Sequence, residues 1–223
     1  MWCKIVIISL FLLCAELIEG ATSSGVKSPG DKNAPGKEYV HLIMYGQSLS
    51  VGHQSYPVIS TESVPGNFMI GNQIWINYGN NNASEFTPLR GNIAAAFQSQ
   101  KNIRCSSAGT IAECPLFGAA NHIQLKVPGS SIVATSCGTS GKTIEQLSPE
   151  SQTTHLYVDF LTTINRASEI ARTSGAGISC PAIFWMQGEW NYQGYQDGLT
   201  PGSKPTTDKS EYKSLIIRLK NNM

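Results

Sequence analysis

The sequence predicts an α/β domain in which helices cover both faces of a mainly parallel sheet, a three-layer sandwich. Three observations predict it. Apolar runs with the character of buried strands recur at 39–45, 131–136 and 182–186. Helical apolar spacing separates and follows them, at 117–126, 155–173 and 208–221. Parallel strands need long crossovers, so strands that alternate with helices read as parallel neighbours.

The chain begins with a pattern of secretory type. Lys4 is a basic flank, and residues 5–15 form an apolar core too short to span a bilayer. Cleavage is expected after Gly20, with Ala15 the other candidate; a retained anchor or a buried first helix is the alternative reading of residues 1–20. Residues 21–37 are rich in Gly, Ser, Pro and Lys and read as a flexible leader. The folded domain is expected over 38–223. A secreted, extracellular protein follows from this reading.

Within the domain, the strand at 39–45 runs into the turn Gly46-Gln47-Ser48-Leu49-Ser50-Val51-Gly52. Residues 52–91 are punctuated by Pro57, Pro65, Gly66, Gly71, Gly79 and Pro88 and read as loop, with one short strand at 73–77. So long an irregular stretch is more often functional than neutral. Phe117, Ala120, Ile123 and Gln124 have helical spacing. The strand at 131–136 ends in the Gly-rich turn Cys137-Gly138-Thr139-Ser140-Gly141-Lys142-Thr143-Ile144. Leu156, Phe160, Ile164, Ala167, Ile170 and Ala171 form one stripe of a long amphipathic helix. Tyr212, Leu215, Ile216 and Leu219 do the same for the last helix.

Composition narrows the function. A chain of 223 residues that is 41% hydrophobic holds one core, not two. A formal net charge of +1 gives no reason to expect nucleic acid or an anionic membrane as partner. Of the six cysteines, Cys3 and Cys14 leave with the signal. A secreted context permits disulfides, and Cys105–Cys114 is the favoured pair, closing a small Ser- and Gly-containing loop. Cys137 and Cys180 lie at opposite ends of their strands, too far apart to bridge if those strands are parallel neighbours. No Cys/His spacing suits zinc, so no metal and no cofactor is expected. Asn82-Ala83-Ser84 is a candidate N-glycosylation site in a polar loop.

The chemistry sits at two islands, each just after an apolar run: Gly46-Gln47-Ser48 and Gln187-Gly188-Glu189. Ligands of open α/β sheets bind at the carboxyl ends of strands, so both islands are expected to face one crevice. A serine on a tight turn after a strand is exposed, and backbone N–H groups beside it can face a developing oxyanion. Ser48 is therefore the candidate nucleophile; its other reading is a helix cap. Gly138 and Gly141 are candidates to bring a backbone N–H close to a ligand, or simply to form a tight turn. Gln187 is a side-chain oxyanion donor by type. Glu189 is a candidate to orient the Ser48 or Gln187 loop by accepting N–H bonds, or a first-turn carboxylate favoured by the helix dipole.

Together these segments resemble the SGNH-hydrolase superfamily, in particular its sialate O-acetylesterase and carbohydrate acetylesterase branch. The resemblance rests on Gly46-Gln47-Ser48-Leu49, on Trp185-Met186-Gln187-Gly188-Glu189-Trp190-Asn191, on the turn from Cys137 to Ile144, and on Pro115-Leu116-Phe117-Gly118-Ala119. It covers about 39–222. It implies a flavodoxin-like parallel sheet, Ser48 as nucleophile, an oxyanion hole of Ser48 and Gly138 or Gly141 N–H groups with the Gln187 amide, and Gln47 and Glu189 in support. The implied activity is removal of O-acetyl groups from a glycan or sialic acid, with an O-acetylated carbohydrate as the substrate and the oligomeric state left open.

The sequence departs from that pattern in places. Leu49 stands where Asn is commoner, and Trp190 where a small residue is commoner. The family activates its serine with an Asp-x-x-His beyond a further helix and strand, and no such tetrad follows Glu189. Two explanations stay open: a longer esterase whose C-terminal part is missing here, with an open sheet edge and poor solubility, or a short chain without a general base. Among the internal histidines, His155 lies four residues before Asp159 on a helix that packs away from the strand ends, and His53 follows the Ser48 turn without an orienting carboxylate. His41 reads as core and His122 as helix surface. The second functional class is a catalytically dead carbohydrate-binding module that stacks sugars on Trp75, Tyr78, Trp190, Tyr192 or Tyr195. A lipid-active esterase is a third reading.

Overall fold

The computed structural model describes residues 37–52, 55, 62–71, 74–76, 82–90, 113–194 and 204–223. The signal and leader segments, His53, Cys105, Tyr78 and Tyr195 lie outside the described residues. The elements are β1 (Glu38–Gly46), a 3-10 turn (Ser48–Val51), β2 (Asn67–Ile70), β3 (Phe86–Pro88), α1 (Pro115–Lys126), β4 (Ile132–Ser136), α2 (Ile144–Leu147), α3 (Leu156–Thr173), β5 (Gly177–Met186), α4 (Glu189–Tyr192) and α5 (Lys209–Asn221). The sheet has five strands in the order β3-β2-β4-β1-β5. All pairs are parallel except β2 with β3. The expected α/β class is therefore what the chain adopts, with helices flanking a mostly parallel sheet. Among the described residues no helix is long and apolar enough to cross a membrane.

β1 sits between β4 and β5, which explains its unbroken apolar run: a central parallel strand is covered on both faces. Tyr39, Ile43 and Tyr45 point to the α3 side, where they join Phe160, Ala167 and Ile170 in two apolar clusters. Leu42 and Met44 alternate with them and are buried as well. α1 packs against β4, β1 and β2, and α3 against β5 and β1. Tyr45 donates to the Leu147 carbonyl at 2.8 Å and stacks on Phe160 with ring centroids 4.8 Å apart.

Among the described residues His41 is the one basic side chain of this core. It is 1% exposed, and its Nε2 lies 2.8 Å from Thr135 Oγ1. Burial pulls its pKa down from 6.5 to about 4. Above pH 6.5 neither the folded nor the unfolded chain charges this ring. Between pH 6.5 and 4 only the unfolded chain takes up the proton, so stability falls as pH falls through that window. The shift corresponds to about 3 kcal/mol at most. We expect urea unfolding at pH 7.5 and 4.5 to differ by about that amount, and His41→Gln to remove most of the difference; equal pH dependence in the two proteins would exclude His41 as the cause.

Three features differ from the sequence reading. The 52–91 stretch contains β2 and β3, which are short and pair non-locally, so neither has a periodic signature. The strand expected at 73–77 is an isolated parallel bridge from Trp75 to Ser136 among its described residues. β5 begins at Gly177, pairing with Glu38, and slips register between Val40 and Leu42 of β1. Its first half, Gly-Ile-Ser-Cys-Pro, is polar because Ser179, Cys180 and Pro181 are exposed on a strand with β1 as its sole partner in the described sheet. Proline is tolerated at such an edge because it has no N–H to leave unpaired.

Cys114 is a fully buried thiol that donates to the Ser50 carbonyl at 3.2 Å; its expected disulfide partner, Cys105, lies outside the described residues. Its side chain turns into the core under the Ser48 turn. Cys137 and Cys180 are free, and β1 lies between their strands. Two strand spacings, about 10 Å, separate them laterally. Burial pushes Cys114 up to about 11 and Cys137 up to about 12. Alkylation of the native protein at pH 8 should modify the Cys180 peptide quickly and those of Cys114 and Cys137 only after unfolding. Rapid native modification of Cys114 would contradict this placement.

Candidate active site

The two islands meet because β1 and β5 are neighbours that end together, Gly46 opposite Met186. The approach is closer than any side chain allows. Gly46 has φ +153°, and a Cβ built there would lie 2.0 Å from the Met186 carbonyl oxygen. The Gln47 N–H then donates to that same oxygen at 3.0 Å. Gln47 is 2% exposed, and its Oε1 accepts from the Trp190 N–H at 3.3 Å. Gln47 thus ties the Ser48 turn to the start of α4.

The third wall comes from the end of β4. Cys137 and Thr139 donate to the Met44 and Gly46 carbonyls at 2.8 and 2.9 Å. Gly138 between them lies against the Ser48 turn, where an added Cβ would sit 1.8 Å from Ser50 Oγ and 3.1 Å from the Gln47 carbonyl oxygen. Only glycine fits that gap. Ser50 is locked beneath, its carbonyl accepting from Ser136 Oγ at 3.1 Å and its own Oγ donating to the Gln47 carbonyl at 2.5 Å. The connection out of β1 runs to one side, to β2 beyond β4, and the connection out of β4 crosses back past β1 to β5 on the other. Ser48 therefore stands at the sheet's topological switch point.

Ser48 is the first residue of the 3-10 turn and is half-buried. A first-turn N–H has no acceptor within its own helix, and among the described residues neither this N–H nor the Ser48 hydroxyl has a hydrogen-bond partner. The same holds for the Gly138 N–H. Two unspent backbone donors and a hydroxyl thus lie at the carboxyl ends of the neighbouring strands β1 and β4. Gly141 is placed differently. It packs under the Trp190 indole, with an added Cβ 3.4 Å from Cζ2, so its recorded role is to seat that ring.

Gln187 is a correction. Its Nε2 donates to the Lys142 carbonyl at 3.0 Å and to Asn191 Oδ1 at 2.7 Å, which uses both amide protons. Its Oε1 accepts from the Tyr212 hydroxyl at 2.6 Å. No proton is left for an oxyanion, and Gln187 acts as a cross-link. The reason is Asn191, which the resemblance included but no role was assigned to. Asn191 is 2% exposed. Its Oδ1 also accepts from the Ile144 N–H at 2.9 Å, and its Nδ2 donates to Glu145 Oε2 at 3.0 Å and to the Thr206 carbonyl at 3.2 Å. Glu145 in turn accepts from the Thr206 N–H at 2.7 Å. This network joins α4, α2 and the segment leading into α5. Burial holds the Tyr212 hydroxyl well above its ordinary pKa, so it remains a donor at every working pH.

Glu189 opens α4, with Oε2 buried and without a hydrogen-bond partner among the described residues. The support expected of it falls to Gln47 and Asn191. Thr143 and Gln146 form a reciprocal capping box that starts α2 and fixes the turn after β4. That Thr-x-x-Gln spacing was legible in the sequence. Glu145, Thr206 and Tyr212 were not, because their meeting depends on how α2 and α5 pack. Trp75 is 4% exposed and donates to the Gly138 carbonyl at 2.8 Å, so it braces the turn and has no face for a sugar. Tyr192 is 83% exposed. His122 and His155 are exposed, and His41 is core as expected. Asn82 is exposed.

Fold and site together define a mostly parallel α/β domain with a serine-bearing turn at its switch point. No protein-family profile matches the sequence. No curated protein matches it either. Solved structures that it resembles include a protein from Arabidopsis thaliana, with a TM-score of 0.48 and 14% identity over 84% of this chain and 68% of that one. They also include NanS, with a TM-score of 0.48 and 14% identity over 74% of this chain and 57% of that one.

Proposed function

We propose that the protein is a secreted serine esterase that removes O-acetyl groups from glycans or sialic acid. The observation that carries this reading is the position of Ser48 at the switch point, with its own N–H and that of Gly138 on the adjoining turn both without an acceptor among the described residues. Ser48 Oγ attacks the ester carbonyl and loses its proton to a base. The Ser48 and Gly138 N–H groups receive the oxyanion. The sugar hydroxyl leaves, and water releases acetate from the acyl-serine. No metal or organic cofactor enters these steps.

The test is acetate release from an O-acetylated sialoglycan. Ser48→Ala is expected to lower turnover at least about a thousandfold with an unchanged unfolding midpoint, since the half-buried hydroxyl has no partner to lose. Equal turnover in the two proteins would overturn the reading. One observation favours a second reading, a carbohydrate-binding domain without turnover: both Gln187 donors are committed elsewhere. That reading predicts glycan binding without acetate release in either protein, and loss of binding in Tyr192→Ala.

A further inference from the structure

Far from Ser48, at the other end of the sheet, lies a groove of about 340 Å³. Tyr39 and Gly46 mark the two ends of β1, about 23 Å apart. The groove is lined by Tyr39, Ser84, Glu85, Phe86, Ile170 and Thr173, with Ser174 at the end of α3. Its volume falls in the range of small-ligand sites, about 300–1,000 Å³. The Tyr39 and Phe86 rings meet edge to face with centroids 4.8 Å apart. Hydroxyls and one carboxylate surround them. Aromatic rings beside hydroxyl and carboxylate groups suit the apolar faces and polar rim of a sugar.

A sugar has a covalent route to this groove. Ala83 packs inward against the Tyr39 and Ile170 cluster. Its neighbours Asn82 and Ser84 are exposed, and Ser84 lines the groove. Asn82-Ala83-Ser84 is also the sole Asn-x-Ser/Thr triplet in the sequence. We propose that Asn82 carries an N-linked glycan and that its first N-acetylhexosamine seats in the groove formed by Tyr39, Phe86 and Ser84. The Asn82 amide nitrogen bonds to the anomeric carbon of a lipid-diphosphate-linked oligosaccharide. The bond from that carbon to the diphosphate breaks, and the lipid diphosphate and one amide proton leave. The seated sugar covers the exposed side of β3 and the C-terminal turn of α3. This rests on passage through a secretory pathway and is independent of any esterase activity.

The full chain is to be produced in a eukaryotic secretory host, with occupancy read by peptide mass mapping. Asn82 is expected to be glycosylated, Asn82→Gln and Ser84→Ala to lose the added mass, and Ser84→Thr to keep it. Hydrogen exchange is then compared on the folded protein before and after enzymatic removal of the glycan. Residues 84–88 and 170–174 should exchange several-fold faster once the whole glycan is gone, and remain protected when it is trimmed to one sugar. An unoccupied Asn82 overturns the site. Occupancy with identical exchange in all three forms overturns the seat.

Discussion

Gly46→Ala is expected to cost about 5 kcal/mol, among the largest effects a single substitution produces. The added Cβ would lie 2.0 Å from the Met186 carbonyl oxygen and 2.6 Å from its carbon. Both are backbone atoms held in the β1–β5 ladder, so no rotamer change relieves the contact. The residue also has φ +153°, a region that suits glycine. Relief requires β1 and β5 to part, which breaks the Gln47 N–H bond to Met186 and moves the Ser48 turn. Urea unfolding of a soluble Gly46→Ala protein should show a collapsed midpoint, and the acetate release proposed for the protein should fall with it. A loss below about 1 kcal/mol would show that the strand ends are not in this contact. Gly138→Ala is a weaker version of the same experiment, because one of its collisions is with the Ser50 side chain.

The second large effect is at Asn191. Asn191→Leu is expected to cost about 4 kcal/mol, although the two side chains have the same branching and the same number of heavy atoms. Leucine cannot accept from Ile144 N–H and Gln187, nor donate to Glu145 and Thr206. It leaves a partly buried carboxylate without its amide partner, and an unpaired buried group costs more than the bond it lost. Asn191→Asp separates packing from polarity. It keeps the acceptor but sets a second carboxylate about 3 Å from Glu145, where like charges repel. Its stability should therefore recover as pH falls and one of the two protonates, the opposite of the His41 effect. If Asn191→Leu proved nearly neutral, the hub would not be closed in solution, and the Gln187 amide would again be available to an oxyanion.

That possibility gives the Gln187 correction its functional weight. The amide was read as an oxyanion donor because a glutamine after a strand end has the right chemistry. Asn191, four residues on, and two residues from other segments, Lys142 and Tyr212, decide otherwise: together they use its donors and its acceptor. Nothing local to Gln187-Gly188-Glu189 announces this. The burial of Cys114 is the same kind of case: its place at the start of α1 sets its side chain in the core beneath Ser50, which no local pattern shows.

What the sequence determined by itself is the set of features carried by short-range periodicity and backbone chemistry. β1 and β4 are unbroken apolar runs because central strands are covered on both faces. α1, α3 and α5 show their stripes because a helix repeats every 3.6 residues. Ser48 and Gly138 stood out because each lies on a turn just past a buried strand, where ligands of open α/β sheets bind. Tertiary structure alone decided the rest. β2 and β3 form by pairing with distant segments, the polar half of β5 is a strand because β1 lies beside it, and Trp75 is a brace because Gly138 is within its reach. Whether a side chain is free for chemistry depends on which partners surround it. Those partners come from segments tens of residues away, whose meeting is set by packing and by no local pattern.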